Sequence, residues 1–442
     1  MSVITADRIQ DPATGQQVDD GALVVLEGRI AWLGPAAELP AEHGQLPVTA
    51  LGAVTVMPGL IDAHVHLCFD GSDDPVARML AEDDARQVAL MLRSARQLLS
   101  AGVTTARDLG ARGYLDLAVR DAIAAGDARG PRMLTAGSPI TVTGGHCWYM
   151  GGEADTEDEV RKVVRRHHKH GVDLIKVMST GGFMTRGSAP WFAQFVTPQL
   201  TAVVDEAHRV GLRVAAHAHG VEGIARAVEA GVDTLEHCSF VRTDGSRSFD
   251  RELAQRIVDR GIYVSPTASH LGPVIADLLD EGPPPYVEIN AMGGKVIAST
   301  DAGINNNPHY GLVHGLVGME QAGMPTADVL VAATSLAAEA LGLADVTGRL
   351  SVGHSADLIA VAGDPRKGVA ALHDLRWVMT AGTPFTPDPL PAMPTLTEAQ
   401  KQMVLSTKPK ELLGRHVRTE VTTELLETEQ QALVATAPGQ ER

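Results

Sequence analysis

The chain has 442 residues, 44% of them hydrophobic and 21% charged, a globular balance that excludes a wholly disordered or fibrous protein and leaves room for one large domain with a smaller companion. Its formal charge of −17 argues against nucleic acid or anionic membrane as a partner, since either requires a basic face.

The polar opening MSVITADRIQDPATG has no signal-peptide pattern, and three cysteines make no disulfide framework, so a reducing cytoplasm is the expected location. Short β runs such as ALVVLEGRIAWLG fill residues 1–57, and GRLSVGHSADLIAVAGDP with LRWVMTAGTP supplies more over 348–385. These two ends are expected to pair into a small flanking β-sandwich domain.

Over 58–347 one unit repeats. A helix-like segment ends at Gly, and an aliphatic run begins one to a few residues later. The glycines are Gly102, Gly126, Gly171, Gly211, Gly231, Gly261 and Gly293. With TVMPGLIDAHVH in front, the runs VTTARD, RMLTAG, LIKVMS, RVAAHAHG, DTLEHCSF, IYVSPTAS and KVIASTDAG make eight strands alternating with helices. That count predicts an α/β fold of the (β/α)8 TIM-barrel type. A doubly wound open sheet alternates in the same way. Polar, metal-capable residues close five of the runs, and this favours the barrel, whose active site is assembled from the C-terminal ends of its strands. The longest apolar stretch, Val329 to Leu343, is interrupted by Thr334, Ser335 and Glu339 and is too short to span a membrane. A Pro-rich linker opens the last segment, 386–442. Beyond it Thr395 with Glu398 can form a capping box, and Val417, Val421 and Leu425 share one helical face.

The chemistry sits at the strand ends. His64 and His66 lie two apart on the first barrel strand, so both imidazoles point to one side and can share a divalent ion. Lys176, His217, His219, His237 and Asp301 close later strands. A lysine held inward among histidines is desolvated, which favours its neutral amine. A neutral amine can take up carbon dioxide, and the carbamate offers two oxygens to two metals. His217 and His219 share a face, so spacing does not choose between them.

PGLIDAHVH, a lysine on the fourth strand, HAHG, LEH and STDAG, in this order, resemble the amidohydrolase superfamily, and within it the imidazolonepropionase-like group with metal-dependent Xaa-Pro dipeptidases and ochratoxin-type amidases. The resemblance covers nearly the whole chain before the linker. It implies His64, His66 and Asp301 on one metal, His217 and His237 on a second, and carboxylated Lys176 bridging them, with His219 left facing substrate. Zinc is the first expectation for both ions, with cobalt or manganese also suited to such ligands.

The same resemblance makes Asp301 the proton shuttle and His146, in GGHCWY, the donor to the substrate carbonyl. Two metals roughly 3.5–4 Å apart acidify a shared water and polarise that carbonyl. GGFMTRGSAPWFAQF follows the fourth strand and places Phe183, Arg186, Trp191, Phe192 and Phe195 at the expected substrate mouth, with Arg186 suited to clamp a carboxylate; a loop that buries its own aromatics is the other reading of the same stretch. NNNPHYG follows the eighth strand and brings Asn307 and His309 to the border of the pocket. Cys68, Cys147 and Cys238 read as small buried filler. His167, His168 and His170 in RRHHKHG read as a helix end complementing its dipole.

The expected activity is hydrolysis of an amide or peptide C–N bond in a small molecule, such as an N-acyl amino acid or Xaa-Pro-like dipeptide, by a homo-oligomer. A carbamate, ester or lactone hydrolase would use the same centre. A deaminase normally uses one metal and no bridging lysine, and a non-catalytic scaffold would have lost ligands; this chain has kept them all.

Overall fold

The computed structural model describes residues 1–279, 282–398 and 401. Both chain ends meet in one mixed sheet of eight strands. Its order is Thr383–Phe385, Leu375–Thr380, Leu358–Val361, Thr55–Pro58, Ser2–Asp11, Gln16–Leu26 and Arg29–Pro35, with Val48–Ala50 paired to Ser2–Asp11. The sheet has an apolar cluster of its own in which Ile4, Leu23, Ile30 and Val56 from one end pack with Leu358 and Met379 from the other. The two segments thus share one buried face.

Between them run the eight anticipated strands: β1 (Leu60–Val65), β2 (Val103–Asp108), β3 (Arg132–Thr135), β4 (Leu174–Met178), β5 (Arg213–Gly220), β6 (Thr234–Val241), β7 (Tyr263–Ser265) and β8 (Lys295–Val296). They pair in parallel as a three-stranded sheet, β1–β2–β3, and a five-stranded sheet, β4 to β8. Backbone hydrogen bonds also join the sheets to each other. Beyond β3, Ile140 N–H donates to Lys176 O and Met178 N–H to Ile140 O, both at 2.8 Å. Beyond β8, Asp301 N–H donates to His64 O and His66 N–H to Ala302 O, again at 2.8 Å.

The glycine punctuation has a conformational cause. All seven glycines named above have φ between 65° and 85°, the left-handed region that stops a helix and turns the chain into the next strand at no steric cost. The helix Glu157–His170 shows both signals, a Thr156/Glu159 capping box at its start and Gly171 at its end. His167, His168 and His170 lie in its last turn. There His167 meets Ser138 O at 2.7 Å and the Tyr114 hydroxyl at 2.8 Å, a structural role. The three cysteines are buried and free. No helix among the described residues is long and apolar enough to cross a membrane. The tail with Val417, Val421 and Leu425 lies outside the described residues.

Period two explains what supports the site. Leu174 precedes Lys176 by two residues on β4 and Ala215 precedes His217 by two on β5, so each shares a face with its neighbour. Leu174 and Ala215 belong to one buried cluster with Ile297, Ala337 and Leu341, which places an apolar layer under the polar one.

Gly59 marks the junction between the mixed sheet and β1. A Cβ there would lie 2.1 Å from Thr104 Oγ1 and 2.7 Å from Thr104 Cβ, and Thr104 is fully buried on β2. Gly59→Ala is therefore expected to destabilise the chain by about 1–3 kcal/mol through overpacking, with partial recovery in Gly59→Ala/Thr104→Ala. Urea unfolding of the two variants checks this.

Candidate metal centre

The strand ends bring the anticipated ligands together. His64 Nε2, His66 Nε2 and Asp301 Oδ1 are each 3.3 Å from the other two. Nitrogen or oxygen ligands about 2.0–2.1 Å from zinc stand about 3.3–3.4 Å apart on a tetrahedron, so these three atoms already outline one face of a coordination shell. Opposite them, His217 Nδ1 and His237 Nε2 are 2.9 Å apart. His219 stacks on His237 with centroids 4.3 Å apart, and the ligand atoms of His217, His219 and His237 lie within 4.8 Å of one another. The geometry thus brings both histidines of HAHG to the cluster.

Two polar atoms there have no hydrogen-bond partner among the described residues, Lys176 Nζ and Asp301 Oδ1. Lys176 is 1% exposed, and burial pushes its amine down to about 8. Buried polar groups are ordinarily satisfied, so an orphaned amine beside an orphaned carboxylate oxygen and converging imidazoles fits a site built for cations. Burial alone would raise the Asp301 carboxyl, but His64, His66 and Lys176 hold it well below the usual carboxylate range. Burial, reinforced by the Lys176 charge, pushes His64 down to about 4. Neutral imidazoles are the form that binds metal.

Backbone strain marks the same residues. Asp301 has φ 60° and His237 φ 67°, left-handed values that cost a non-glycine residue about 1–3 kcal/mol and cluster at functional sites. Asn307 steadies one of them, since its amide donates to Thr300 O at 2.6 Å and to Asp301 O at 3.2 Å. His309 Nε2 lies 3.0 Å from His66 O. Both residues thus engage the backbone of the ligands.

His146 is also buried and in place, its ring centroid 4.6 Å from that of His217. The loop after β4 holds it from three sides. Gln194 Oε1 accepts its backbone N–H at 2.6 Å, Thr185 Oγ1 stands 3.0 Å from Nδ1, and Gly182 packs so closely that a Cβ there would lie 2.4 Å from Nε2. Thr185 and Gln194 carry no signal of their own in the sequence. On the same loop Phe183 meets His219 edge-on at 5.0 Å, Trp191 is half-buried against Phe192, and Phe192 is 59% exposed. Arg186 is exposed. Phe195, grouped with the mouth from sequence, is fully buried in the apolar core, because the chain has by then turned inward toward the next helix.

Comparison with known proteins agrees with this geometry. Residues 55–404 match the amidohydrolase family. The chain belongs to that family. Ochratoxinase of Aspergillus niger is 29% identical over 407 residues, covering 82% of each chain. Imidazolonepropionase of Paracoccus denitrificans is 28% identical over 379 residues, 77% of this chain and 87% of that one. The crystal structure of a Xaa-Pro dipeptidase with methionine bound in its active site is 29% identical, with a TM-score of 0.77 over 87% of this chain and 99% of that one. This member of the family is a metal-binding hydrolase acting on C–N bonds.

A ligand that binds only the folded state stabilises it by RT ln(1 + [L]/Kd), about 4 kcal/mol at a thousandfold excess over Kd. Chelator-stripped protein is therefore expected to melt several degrees below protein reloaded with Zn2+, and His237→Ala should shrink the difference. Calorimetric scans of the stripped and reloaded forms measure it.

Proposed function

We propose that the chain is a binuclear amidohydrolase that cleaves the amide bond of an N-acyl amino acid or a related dipeptide, on a (β/α)8 barrel flanked by the mixed sheet. The observation that carries this reading is the convergence of His64, His66 and Asp301 at 3.3 Å spacing around a lysine amine that is buried and unpartnered. The hydrogen bonds joining the three-stranded and five-stranded sheets support the barrel.

His64, His66 and Asp301 would hold one divalent ion, His217 and His237 a second, and Lys176, carboxylated, would bridge them. Zinc suits these donors best, with cobalt or manganese as alternatives. When bound, the ions would acidify a water and polarise the substrate carbonyl. The Asp301 carboxylate, held ionised among His64, His66 and Lys176, would take a proton from a water beside it and return it to the leaving amine nitrogen. His146 has Nδ1 3.0 Å from the Thr185 hydroxyl; with that hydroxyl donating to Nδ1, the ring proton sits on Nε2, and His146 would donate it to the carbonyl oxygen as charge builds there. Phe183 and His219 wall one side of the acyl group. Trp191 and Phe192 offer apolar surface further out, and exposed Arg186 is placed for a free carboxylate at the mouth.

Relatives named for ochratoxin, imidazolonepropionate and Xaa-Pro substrates span amide chemistries of different shape, so the substrate is set by this outer wall. Metal analysis coupled to a hydrolysis screen over N-acyl amino acids, Xaa-Pro dipeptides, carbamates and esters tests the proposal. Turnover confined to esters or carbamates would overturn the amide assignment, and a metallated protein inert to all four would overturn catalysis.

Lys176→Ala is expected to lose most bound metal and activity, with partial rescue of both by short carboxylic acids. Retention of two tightly bound ions with full turnover would sink the bridging role. Gly182→Ala tests His146 from a residue that touches no ligand. Its methyl group must push the ring aside, and kcat/KM should fall at least ~10-fold with metal content intact, since misplacement by about 1 Å can cost 10²-fold. Steady-state kinetics beside metal analysis separates the two effects.

A further inference from the structure

Directly behind His64 lies a buried ionic network that the catalytic scheme does not use. Glu236 on β6 is fully buried, and Arg107 on β2 is 2% exposed. Arg107 Nη2 donates to Glu236 Oε1 at 2.8 Å, and the Thr234 hydroxyl donates to the same oxygen at 2.6 Å. The other oxygen, Oε2, lies 2.8 Å from His64 Nδ1. Arg107 reaches further, with Nε donating to Ala63 O at 2.6 Å and Nη1 to Thr234 Oγ1 at 3.2 Å. Because β2 and β6 belong to different sheets, one guanidinium ties the two sheets together and grips the main chain next to His64.

Hydrogen-bond logic then fixes the ring. An ionised carboxylate only accepts, so His64 Nδ1 must be the donor, and Nε2 is left with its lone pair toward His66 and Asp301. We propose that Glu236, locked by Arg107 and Thr234, is the positioning residue that sets the tautomer and angle of His64 and thereby the cation affinity of the centre. The proposal rests on the reading of His64 as a metal ligand. Carboxylates behind ligating histidines commonly act this way, and their loss costs about 10–100-fold in affinity. Glu236 precedes His237 in the chain, so one short segment supplies a candidate ligand and the support for another.

The test is Co2+ reloading of chelator-stripped full-length protein, read by competition with a chromophoric chelator and by the visible spectrum. Glu236→Gln offers one acceptor oxygen to three donors, and its amide adds two donors more. It is expected to bind Co2+ about 10–100-fold more weakly with shifted visible bands. Thr234→Val leaves both charges in place and removes one strut, and should lose affinity in the same direction but less; it carries the test if Glu236→Gln does not fold. Arg132→Met breaks the Arg132–Asp357 ion pair at 3.2 Å, outside the ligand cluster. It should lower the melting temperature without moving the Co2+ affinity or spectrum. Wild-type affinity and spectrum in both Glu236→Gln and Thr234→Val would overturn the proposal. So would an equal loss of affinity in Arg132→Met, which would reduce the effect to general destabilisation. Failure of the wild-type chain to take up Co2+ would instead overturn the metal centre itself, and the proposal with it.

Discussion

Removing a lysine amine, an aspartate and four histidines from water in one place is the constraint to which the rest of the molecule answers. Each buried ion costs several kcal/mol unless it is paired and hydrogen-bonded. The structure meets that cost unevenly. Behind the candidate ligands the buried carboxylates are satisfied: Glu236 takes hydrogen bonds from Arg107, Thr234 and His64, and Asp62 takes them from Thr300 and the His64 backbone. In front of them Lys176 Nζ and Asp301 Oδ1 have none among the described residues. A satisfied floor beneath an unsatisfied roof holds ligand atoms rigid while leaving their lone pairs free, and such preorganisation is what a coordination site requires.

The strand ends carry a second cost. Parallel strands deliver side chains with period two, but a ligand must also turn toward a shared point, and the left-handed backbone at His237 and Asp301 makes that turn where the strand stops. Strain of this kind persists only where the surroundings over-determine it. At Asp301 they do: its N–H is tied to His64 O and its C=O receives the Asn307 amide. Asn307, expected at the pocket border, thus acts on the geometry of Asp301 from behind.

Much of this was legible in the sequence because it follows from local rules. Gly at helix ends, aliphatic runs and polar residues closing them are short-range signals, and all eight strands appear where those signals lie. His64, His66, Lys176, His217, His237 and Asp301 stand out in the sequence as candidates for the same reason, each being a polar residue on or just past an aliphatic run. Arg107 and Glu236 do not, although both stand inside motifs that had been noticed, VTTARD and LEH. Their partnership joins residues 129 apart in sequence, and no periodicity encodes a contact between different sheets. Phe195 was misplaced for a related reason: an aromatic in a loop-like segment reads as pocket lining until the turn that buries it is seen.

In the proposed scheme the loop after β4 couples specificity to chemistry. Gln194 and Thr185 hold His146, while Trp191 and Phe192 on the same stretch lie further out, so a change in the outer wall would be transmitted to the ring proposed to meet the carbonyl. Gly182 leaves no slack there, because a Cβ at that position would lie 2.4 Å from the ring. On that reading, binding surface at the mouth and transition-state stabilisation at the centre would be set by one segment of backbone, and substitutions there should move both together unless they are confined to the exposed tips of Phe192 and Arg186.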